Sequence, residues 1–209
     1  MKTWDLLFHK HGVRHTFDML MAPFDSVQYI NDSFPQEDIE GQIVRKYATG
    51  DKVLELGCGA NKTVPHALGL DRVQKGIQLP GISNPAFSVA DVIADVQEPL
   101  PFSSEFDCVI ARHILEHVSN PIRAIMNWGK VIKHGGRLII AVPDQAICNS
   151  IPMNPEHLSS FTQQSLSDIM NLLGWKKISI ESTGNRISFV GAFEKNGCDP
   201  AMERIASNG

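Results

Sequence analysis

Residues 53–71, VLELGCGANKTVPHALGLD, carry the strongest chemical signal in the sequence. Their apolar start predicts a buried strand that ends at Gly57, Cys58 and Gly59, where glycines allow a sharp turn and a close approach of a ligand. Asp71 ends the next predicted strand, and a carboxylate there can accept hydrogen bonds from both hydroxyls of a ribose. The pattern favours a nucleoside-binding edge over its plainer interpretation, a tight turn followed by a surface aspartate.

The same segment discriminates between two kinds of nucleoside cofactor. A dinucleotide site needs a third glycine, where the following helix packs against the strand, and Lys62 stands at that position. Pro65 also interrupts the helix whose N-terminus would hold a pyrophosphate. S-adenosylmethionine (SAM) has no pyrophosphate and needs no such helix, so the local chemistry favours SAM over a nicotinamide dinucleotide.

The elements around this segment predict an α/β fold. Helices are expected to begin after Pro35, at Asn120 with Pro121, and at Thr162, since these residue types cap or start helices. Strands are expected at residues 52–56, 67–71, 87–94, 106–111, 137–142, 175–181 and 186–193. This alternation indicates a parallel sheet covered on both faces and closed by a hairpin, with ligands bound at the carboxyl ends of the strands.

Five blocks of the sequence resemble class I SAM-dependent methyltransferases, and their order and spacing are typical of the small type 11 methyltransferase-domain group. The blocks are LELGCG (54–59), DVIADVQEPLPF (91–102), FDCVIARHILEHV (106–118), GGRLIIAVPD (135–144) and HLSSFTQQSLSDIMNLLGW (157–175). The resemblance covers about residues 38–194. It implies a Rossmann-like, doubly wound, seven-stranded sheet in the order 3-2-1-4-5-7-6, with the last strand antiparallel and helices on both faces.

The resemblance also implies SAM as the cofactor, S-adenosylhomocysteine as the product, and a set of cofactor-binding residues. The loop that holds the methionine part of SAM is matched by Glu55 with Gly57, Cys58 and Gly59. Asp71 matches the acid that binds the ribose.

Asp95 and Val96 match the acid and backbone amide that recognise the adenine. A carboxylate can accept from the exocyclic amino group while a neighbouring amide donates to a ring nitrogen. A carboxylate that only caps its own loop is the alternative for Asp95.

Two further places are implied to face the reaction. Arg112 and His113 follow the fourth predicted strand, where the family places residues beside the reactive methyl group, and the resemblance implies that both are cofactor-binding residues. His113 is therefore the candidate for a base or an acceptor-positioning group, since histidine can take a proton near neutral pH; holding SAM or the start of a helix is the alternative. Glu116 and His117 are expected to support the local backbone. His157 lies where the family often contacts the acceptor, although a capping or packing histidine is as good an interpretation.

Length, charge and cysteine content limit the partners and the location that we expect for this chain. The 209 residues carry a net charge of -4 and a pI near 6.0. This balance gives no support for nucleic-acid binding, although it leaves room for a local basic patch, and it favours a small-molecule acceptor. No run of the sequence is apolar enough to span a membrane. The four cysteines form no C-x-x-C pair, so free thiols in the cytoplasm are expected.

The chain is divided, as a prediction, into three parts. Residues 1–35 form an N-terminal cap or lid, 36–196 the methyltransferase domain, and 197–209 a C-terminal tail. His9, His11 and His15 are spaced like metal ligands, but no cysteine or carboxylate completes the set, so a solvated basic segment is expected and no metal site is predicted.

The predicted function is transfer of a methyl group from SAM to an oxygen or nitrogen nucleophile, most simply on a small molecule. A non-catalytic SAM-binding partner protein is one alternative. A nicotinamide-dependent oxidoreductase is another, disfavoured by the missing third glycine and by the absence of a Tyr-x-x-x-Lys pair. Neither the acceptor nor the oligomeric state is encoded in a pattern of this kind, because one fold serves many functions.

Overall fold

The computed structural model describes residues 38–79, 86–184 and 187–196. The predicted cap, 1–35, and tail, 197–209, lie outside the described residues, so the division into three parts stays a prediction. Within the described ranges, no helix is long and apolar enough to cross a membrane.

Seven strands form one sheet in the order β3-β2-β1-β4-β5-β7-β6. Neighbouring strands are parallel except for β7, which pairs antiparallel with both β5 and β6. The strands are β1 Val53–Leu56, β2 Leu68–Asp71, β3 Val92–Ile93, β4 Phe106–Arg112, β5 Ile132–Pro143, β6 Trp175–Ser182 and β7 Ser188–Lys195. The predicted strand order, with its antiparallel last strand, is therefore confirmed.

Two helices of the described residues begin at the predicted caps Asn120 and Thr162, the first begins at Asp38 after Pro35, and the short helix Ser150–Met153 was not predicted. Asp38, Asn120 and Thr162 each accept a hydrogen bond from a backbone N–H of the first turn, which satisfies one of the unpaired donors there. The helices are α1 Ile39–Tyr47, α2 Pro121–Val131, α3 Ser150–Met153 and α4 Gln163–Leu172, with a 3-10 helix at Leu115–His117.

Both faces of the sheet are covered, as expected for parallel strands that are apolar throughout. One face packs against α2 and α4 through Trp128 and Leu166. The other packs against α1 through Val44. Successive residues of β4 alternate between the two clusters, with Val109 on the first face and Ile110 on the second, because side chains of a strand point to opposite faces.

The third strand is much shorter than predicted. Residues 87–94 were expected to be extended, but β3 contains only Val92–Ile93. The preceding residues bond to loops instead, because the Val89 N–H donates to the Gly59 carbonyl (2.9 Å) and the Ser88 hydroxyl donates to the Val73 carbonyl (2.7 Å). This segment therefore supports the glycine turn after β1 rather than extending the sheet.

Trp128 links the core to the loop after β3. Its indole is fully buried and its Nε1–H donates to the Val96 carbonyl (2.9 Å). We expect Trp128→Phe to lower the free energy of unfolding by about 1 kcal/mol more than Trp175→Phe, because only the first change leaves a carbonyl without its donor. Trp175 is also buried and its indole makes no hydrogen bond within the described ranges. Urea unfolding of the two variants measures the difference, and equal losses would contradict the assigned role of the hydrogen bond.

Candidate cofactor and active site

Four neighbouring parallel strands deliver the predicted site residues to one edge of the sheet. Gly57 follows β1, Asp71 ends β2, Asp95 follows β3, and Arg112 ends β4. Because β3, β2, β1 and β4 are adjacent in that order, these residues lie side by side at the carboxyl edge, where ligands of such sheets bind.

The turn after β1 requires its glycines. Gly57 and Gly59 adopt φ values of +61° and +54°, a region that side-chain-bearing residues rarely enter. A Cβ on Gly57 would lie 2.0 Å from Cδ1 of Ile114. The Ile114 side chain, in the segment after β4, therefore packs directly on the glycine turn, and a side chain at position 57 would displace it.

Asp71 joins the end of β2 to this turn. Its Oδ2 accepts from the Gly59 N–H and its Oδ1 accepts from the Val73 N–H, both at 3.0 Å. The residue is 9% exposed. A carboxylate offers about four lone-pair sites, so each oxygen can still accept from a hydroxyl, and the arrangement fits the ribose of a nucleoside.

Glu55 and Cys58 shape the turn instead of presenting side chains to a ligand. The buried Glu55 carboxylate accepts from the N–H of Thr63 (2.8 Å), the Thr63 hydroxyl (2.7 Å) and the N–H of Val64 (3.3 Å). The Cys58 thiol packs on Gly69 of β2. Burial, with the charges of Asp71 and Glu55, raises the pKa of Cys58 to about 11, so the thiol is protonated and not a nucleophile at neutral pH.

The loop after β3 is held by α2. Asp95 is exposed, and its Oδ1 accepts from the Gln97 N–H (2.9 Å). The Val96 carbonyl accepts from Trp128, and the Gln97 side chain accepts from the N–H and the hydroxyl of Ser119, both at 2.8 Å. The predicted adenine-recognising pair therefore sits on a braced loop, with the carboxylate of Asp95 partly engaged in the local turn.

A buried glutamate that the sequence did not single out lies beside Arg112. Glu40, in the first turn of α1, is 3% exposed. Its carboxylate accepts from Nε of Arg112 (2.5 Å) and from the Ser188 hydroxyl, while Nη2 of Arg112 donates to Asp38 (3.0 Å). The available sequence signal, a cluster of acids at the start of a helix, is the ordinary pattern of a helix N-terminus, and it gave no reason to choose Glu40.

His113 lies between two carboxylates. Its Nε2 is 3.0 Å from Oε1 of Glu40 and its Nδ1 is 3.1 Å from Oε1 of Glu116. Ionised carboxylates only accept hydrogen bonds, so both nitrogens must donate and the ring is an imidazolium. Burial alone would lower the pKa of His113, but the charge of Glu40 and the hydrogen bonds with Glu116 and Glu40 outweigh it and raise the pKa to about 10.

This geometry disfavours the predicted role of His113 as a base. An imidazolium has no lone pair with which to take a proton. His113 also adopts φ +53°, which no other non-glycine residue within the described ranges does, and a conformation of that kind persists only where surrounding contacts enforce it. The two carboxylates supply those contacts. The guanidinium of Arg112 is likewise hydrogen-bonded to carboxylates, and these bonds do not direct it toward a ligand.

His157 reaches the same neighbourhood from the connection between β5 and α4. It is 3% exposed, its Nδ1 donates to the Ser150 carbonyl (3.0 Å), and its ring packs edge-on against His117 with 4.7 Å between ring centres. Burial lowers the pKa of His157. Its contact with an acceptor stays a prediction.

Comparison with known proteins decides the family. A family model described as a methyltransferase domain matches residues 39–180, which is more than half of the chain. The chain belongs to this family. SAM is therefore its cofactor, and the resemblance to class I methyltransferases is confirmed; the narrower type 11 grouping stays a prediction.

Solved structures share the fold of this methyltransferase at low sequence identity. A SAM-dependent methyltransferase from Methanosarcina mazei is 20% identical, with 74% of this chain and 97% of that one covered and a TM-score of 0.53. A Thermotoga maritima enzyme, described as a possible histamine N-methyltransferase, is 14% identical, with 93% and 100% covered and a TM-score of 0.57. A Haloferax volcanii methyltransferase in complex with the activator Trm112 is 13% identical, with 77% and 90% covered and a TM-score of 0.60.

A curated relative gives no further information on activity. An uncharacterized 37.1 kDa protein of transposon Tn4556 from Streptomyces fradiae is 26% identical over an alignment of 106 residues that covers 46% of this chain. The match spans only 31% of the length of that relative.

The close approach at Gly57 predicts a specific loss of cofactor binding. Gly57→Ala and Gly135→Ala both place a side chain at positive φ, costing about 1–2 kcal/mol of stability each. Gly135 has φ +72° and nothing within 4 Å of its added Cβ. We therefore expect both variants to lose stability in urea, but only Gly57→Ala to weaken binding of S-adenosylhomocysteine at least about tenfold, or 1.4 kcal/mol. Unchanged affinity in Gly57→Ala, measured by calorimetric titration, would contradict the placement of the cofactor.

The raised pKa of His113 predicts how its contribution to stability depends on pH. Folding raises the pKa of His113 from 6.5 to about 10. Its protonated ring therefore contributes fully to the stability of the fold below pH 6.5, and this contribution is lost as the pH rises through about 10. Asn tolerates positive φ, so His113→Asn removes the charge while keeping the backbone. We expect the difference in unfolding free energy between wild type and His113→Asn to be largest near pH 6.5 and to shrink toward pH 10. A difference that stays constant over this range in urea titrations would argue against an imidazolium.

Proposed function

We propose that this methyltransferase transfers the methyl group of SAM to an oxygen or nitrogen nucleophile of a small-molecule acceptor. The observation that carries the proposal is the hydrogen bond from the Gly59 N–H to Asp71 (3.0 Å). It joins the glycine turn and the candidate ribose acid into one surface, and side-chain and backbone groups of β3, β2, β1 and β4 follow along the same edge.

The proposed arrangement of the cofactor follows the order of the strands. Asp95 and the backbone of Val96 would bind the adenine at the end of β3, and Asp71 would bind the ribose at the end of β2. The backbone of Gly57, Cys58 and Gly59 would hold the methionine part at the end of β1, with Glu55 bracing that turn through its bonds to Thr63. The reacting end would then face the segment after β4.

SAM supplies a methyl group that its sulfonium already activates. The protein then needs chiefly to align the acceptor and exclude water. We propose His113 and Arg112 as positioning residues that fix the backbone at the end of β4 through Glu40, at 3.0 Å and 2.5 Å respectively. An acceptor that requires no base, such as a neutral amine or a carboxylate, suits this environment better than an alcohol, because the imidazolium cannot take the proton of a hydroxyl.

The chemical class of the acceptor and the position where it binds are also proposed. A net charge of -4 favours a small molecule over nucleic acid. His157, buried beside the segment after β4, is proposed to line the acceptor side, and residues 1–35 are proposed to cap it. A cytoplasmic location is proposed because Cys58, Cys108 and Cys148 are free thiols, as is usual in a reducing compartment.

Calorimetric titration with S-adenosylhomocysteine tests the cofactor half of the proposal. We expect micromolar affinity, about -8 kcal/mol, and none for NADH. Asp71→Asn should weaken this affinity at least about tenfold. The carboxylate has two oxygens that accept hydrogen bonds from the turn and from the ribose, whereas the amide of Asn has only one. Asp168→Asn, a change of the same kind at an exposed position on α4, is the matched control and should bind like wild type.

Labelled SAM, incubated with panels of amines, carboxylic acids, alcohols and RNA, tests the acceptor half. We expect amines or carboxylic acids to become labelled at a higher rate than alcohols. Transfer only to RNA would overturn the small-molecule class. Tight binding of S-adenosylhomocysteine with no transfer to any panel would favour the non-catalytic alternative.

A further inference from the structure

Three side chains that could bind a metal ion converge beyond the end of β4. Glu116 and His117 belong to the 3-10 helix, and His157 comes from the connection between β5 and α4. One donor atom of each lies within 4.8 Å of the others. Glu116 is completely buried and His157 is 3% exposed, so the cluster is not an accident of flexible surface side chains.

Backbone contacts hold the cluster together. The N–H groups of Leu158 and Ser159 both donate to the Glu116 carbonyl, at 2.8 Å and 3.1 Å. These bonds hold the segment that contains His157 against the 3-10 helix, and they do not depend on the identity of the side chains. The proximity of Glu116 and His157 is therefore a property of the main chain and is present before any ion binds.

Both histidine rings are oriented as metal ligands usually are. Nδ1 of His117 is 3.2 Å from the Glu156 carbonyl, and Nδ1 of His157 is 3.0 Å from the Ser150 carbonyl. A carbonyl can only accept, so Nδ1 carries the hydrogen in each ring, and the lone pair of the neutral ring is on Nε2. Metal-binding histidines are typically held by a bond of this kind from the other nitrogen to a carbonyl or carboxylate.

The Glu116 carboxylate supports a ligand most strongly. Its Oε1 accepts from His113, at 3.1 Å, but its Oε2 is buried and accepts no hydrogen bond within residues 38–79, 86–184 and 187–196. Burying a carboxylate oxygen without a partner is costly. A cation at this oxygen would remove that cost.

We propose that Glu116, His117 and His157 bind a zinc ion. Two histidines and one glutamate are a known donor set for zinc sites that keep a fourth position open. Donor atoms around tetrahedral zinc are about 3.3 Å apart, so binding would draw together atoms now spaced at up to 4.8 Å.

The ion would stand on the acceptor side of the site. Glu116 bonds to His113, whose neighbour Ile114 packs on the glycine turn. The open position would take water, or an oxygen or nitrogen of the acceptor and so orient it toward the methyl group. This role for the ion, but not its binding, rests on the proposed function.

Titration of the chelator-stripped full chain with Zn²⁺, followed by calorimetry and repeated with Co²⁺ by visible absorption, tests the site. We expect one tightly bound equivalent. His117→Gln and His157→Gln should each weaken zinc binding at least about 10- to 100-fold, since even partners outside the ligand set are worth that much. His134→Gln, at an exposed histidine elsewhere, should change nothing, and neither should the triple change of His9, His11 and His15 to Gln.

The proposal is overturned if wild type takes up no zinc, or if the triple variant loses the zinc while His117→Gln keeps it. His117 is partly exposed, so its variant remains informative should His157→Gln fail to fold. Binding of S-adenosylhomocysteine by the same variants separates the two hypotheses. Cofactor binding without zinc uptake rejects only the zinc site, and zinc uptake without cofactor binding or methyl transfer rejects only the proposed function.

Discussion

The buried carboxylate of Glu40 is the interaction on which the carboxyl edge of the sheet depends. It sits in the first turn of α1 and accepts from Arg112 and His113 at the end of β4 and from Ser188 of β7. Burial alone would raise its pKa, but the charge and hydrogen bond of His113, with Arg112 and Ser188, hold it well below the ordinary value. Removing one partner of a buried pair typically costs about 3–5 kcal/mol, so this contact ties a helix and two strands into one unit.

From Glu40 the charges alternate in sign across the carboxyl edge of the sheet. Asp38 and Glu40 flank Arg112, while Glu40 and Glu116 flank His113. Each charge is held by its neighbours, and the arrangement is in place before a ligand arrives. Fixed charges and dipoles of this kind stabilise developing charge without reorganising during a reaction. They also explain why the chain tolerates the positive φ of His113, which the two carboxylates enforce from both sides.

Local patterns predicted most of the strands and two of the helix starts, although they made β3 too long and gave no sign of the short helix α3. The helix caps at Asn120 and Thr162 and the glycine turn with Asp71 depend on residues close in sequence. The contacts of Glu40 could not be predicted, because they join α1 to β4 and β7 across the fold. The cluster of His117 and His157 was also missed, since two backbone bonds to the Glu116 carbonyl bring distant segments together.

Some residues take a different part in the site from the one their motif indicated. Glu55 belongs to the first motif, yet its oxygens bind Thr63 and Val64, so it acts on the loop and not directly on a ligand. The short β3 has a similar origin, because the residues before it bond to the glycine turn and the adjacent loop. In both cases tertiary hydrogen bonds, which the sequence pattern does not show, decide what each group contacts.

A crystal structure of the full chain with S-adenosylhomocysteine tests the central claim most directly. We expect the ribose hydroxyls within hydrogen-bond distance of Asp71, the adenine at Asp95 and Val96, and the sulfur facing the segment after β4. We also expect both ring nitrogens of His113 to remain hydrogen-bonded to Glu40 and Glu116. A ligand bound away from the glycine turn, or an imidazole released from Glu40 and turned toward the sulfur, would contradict this claim.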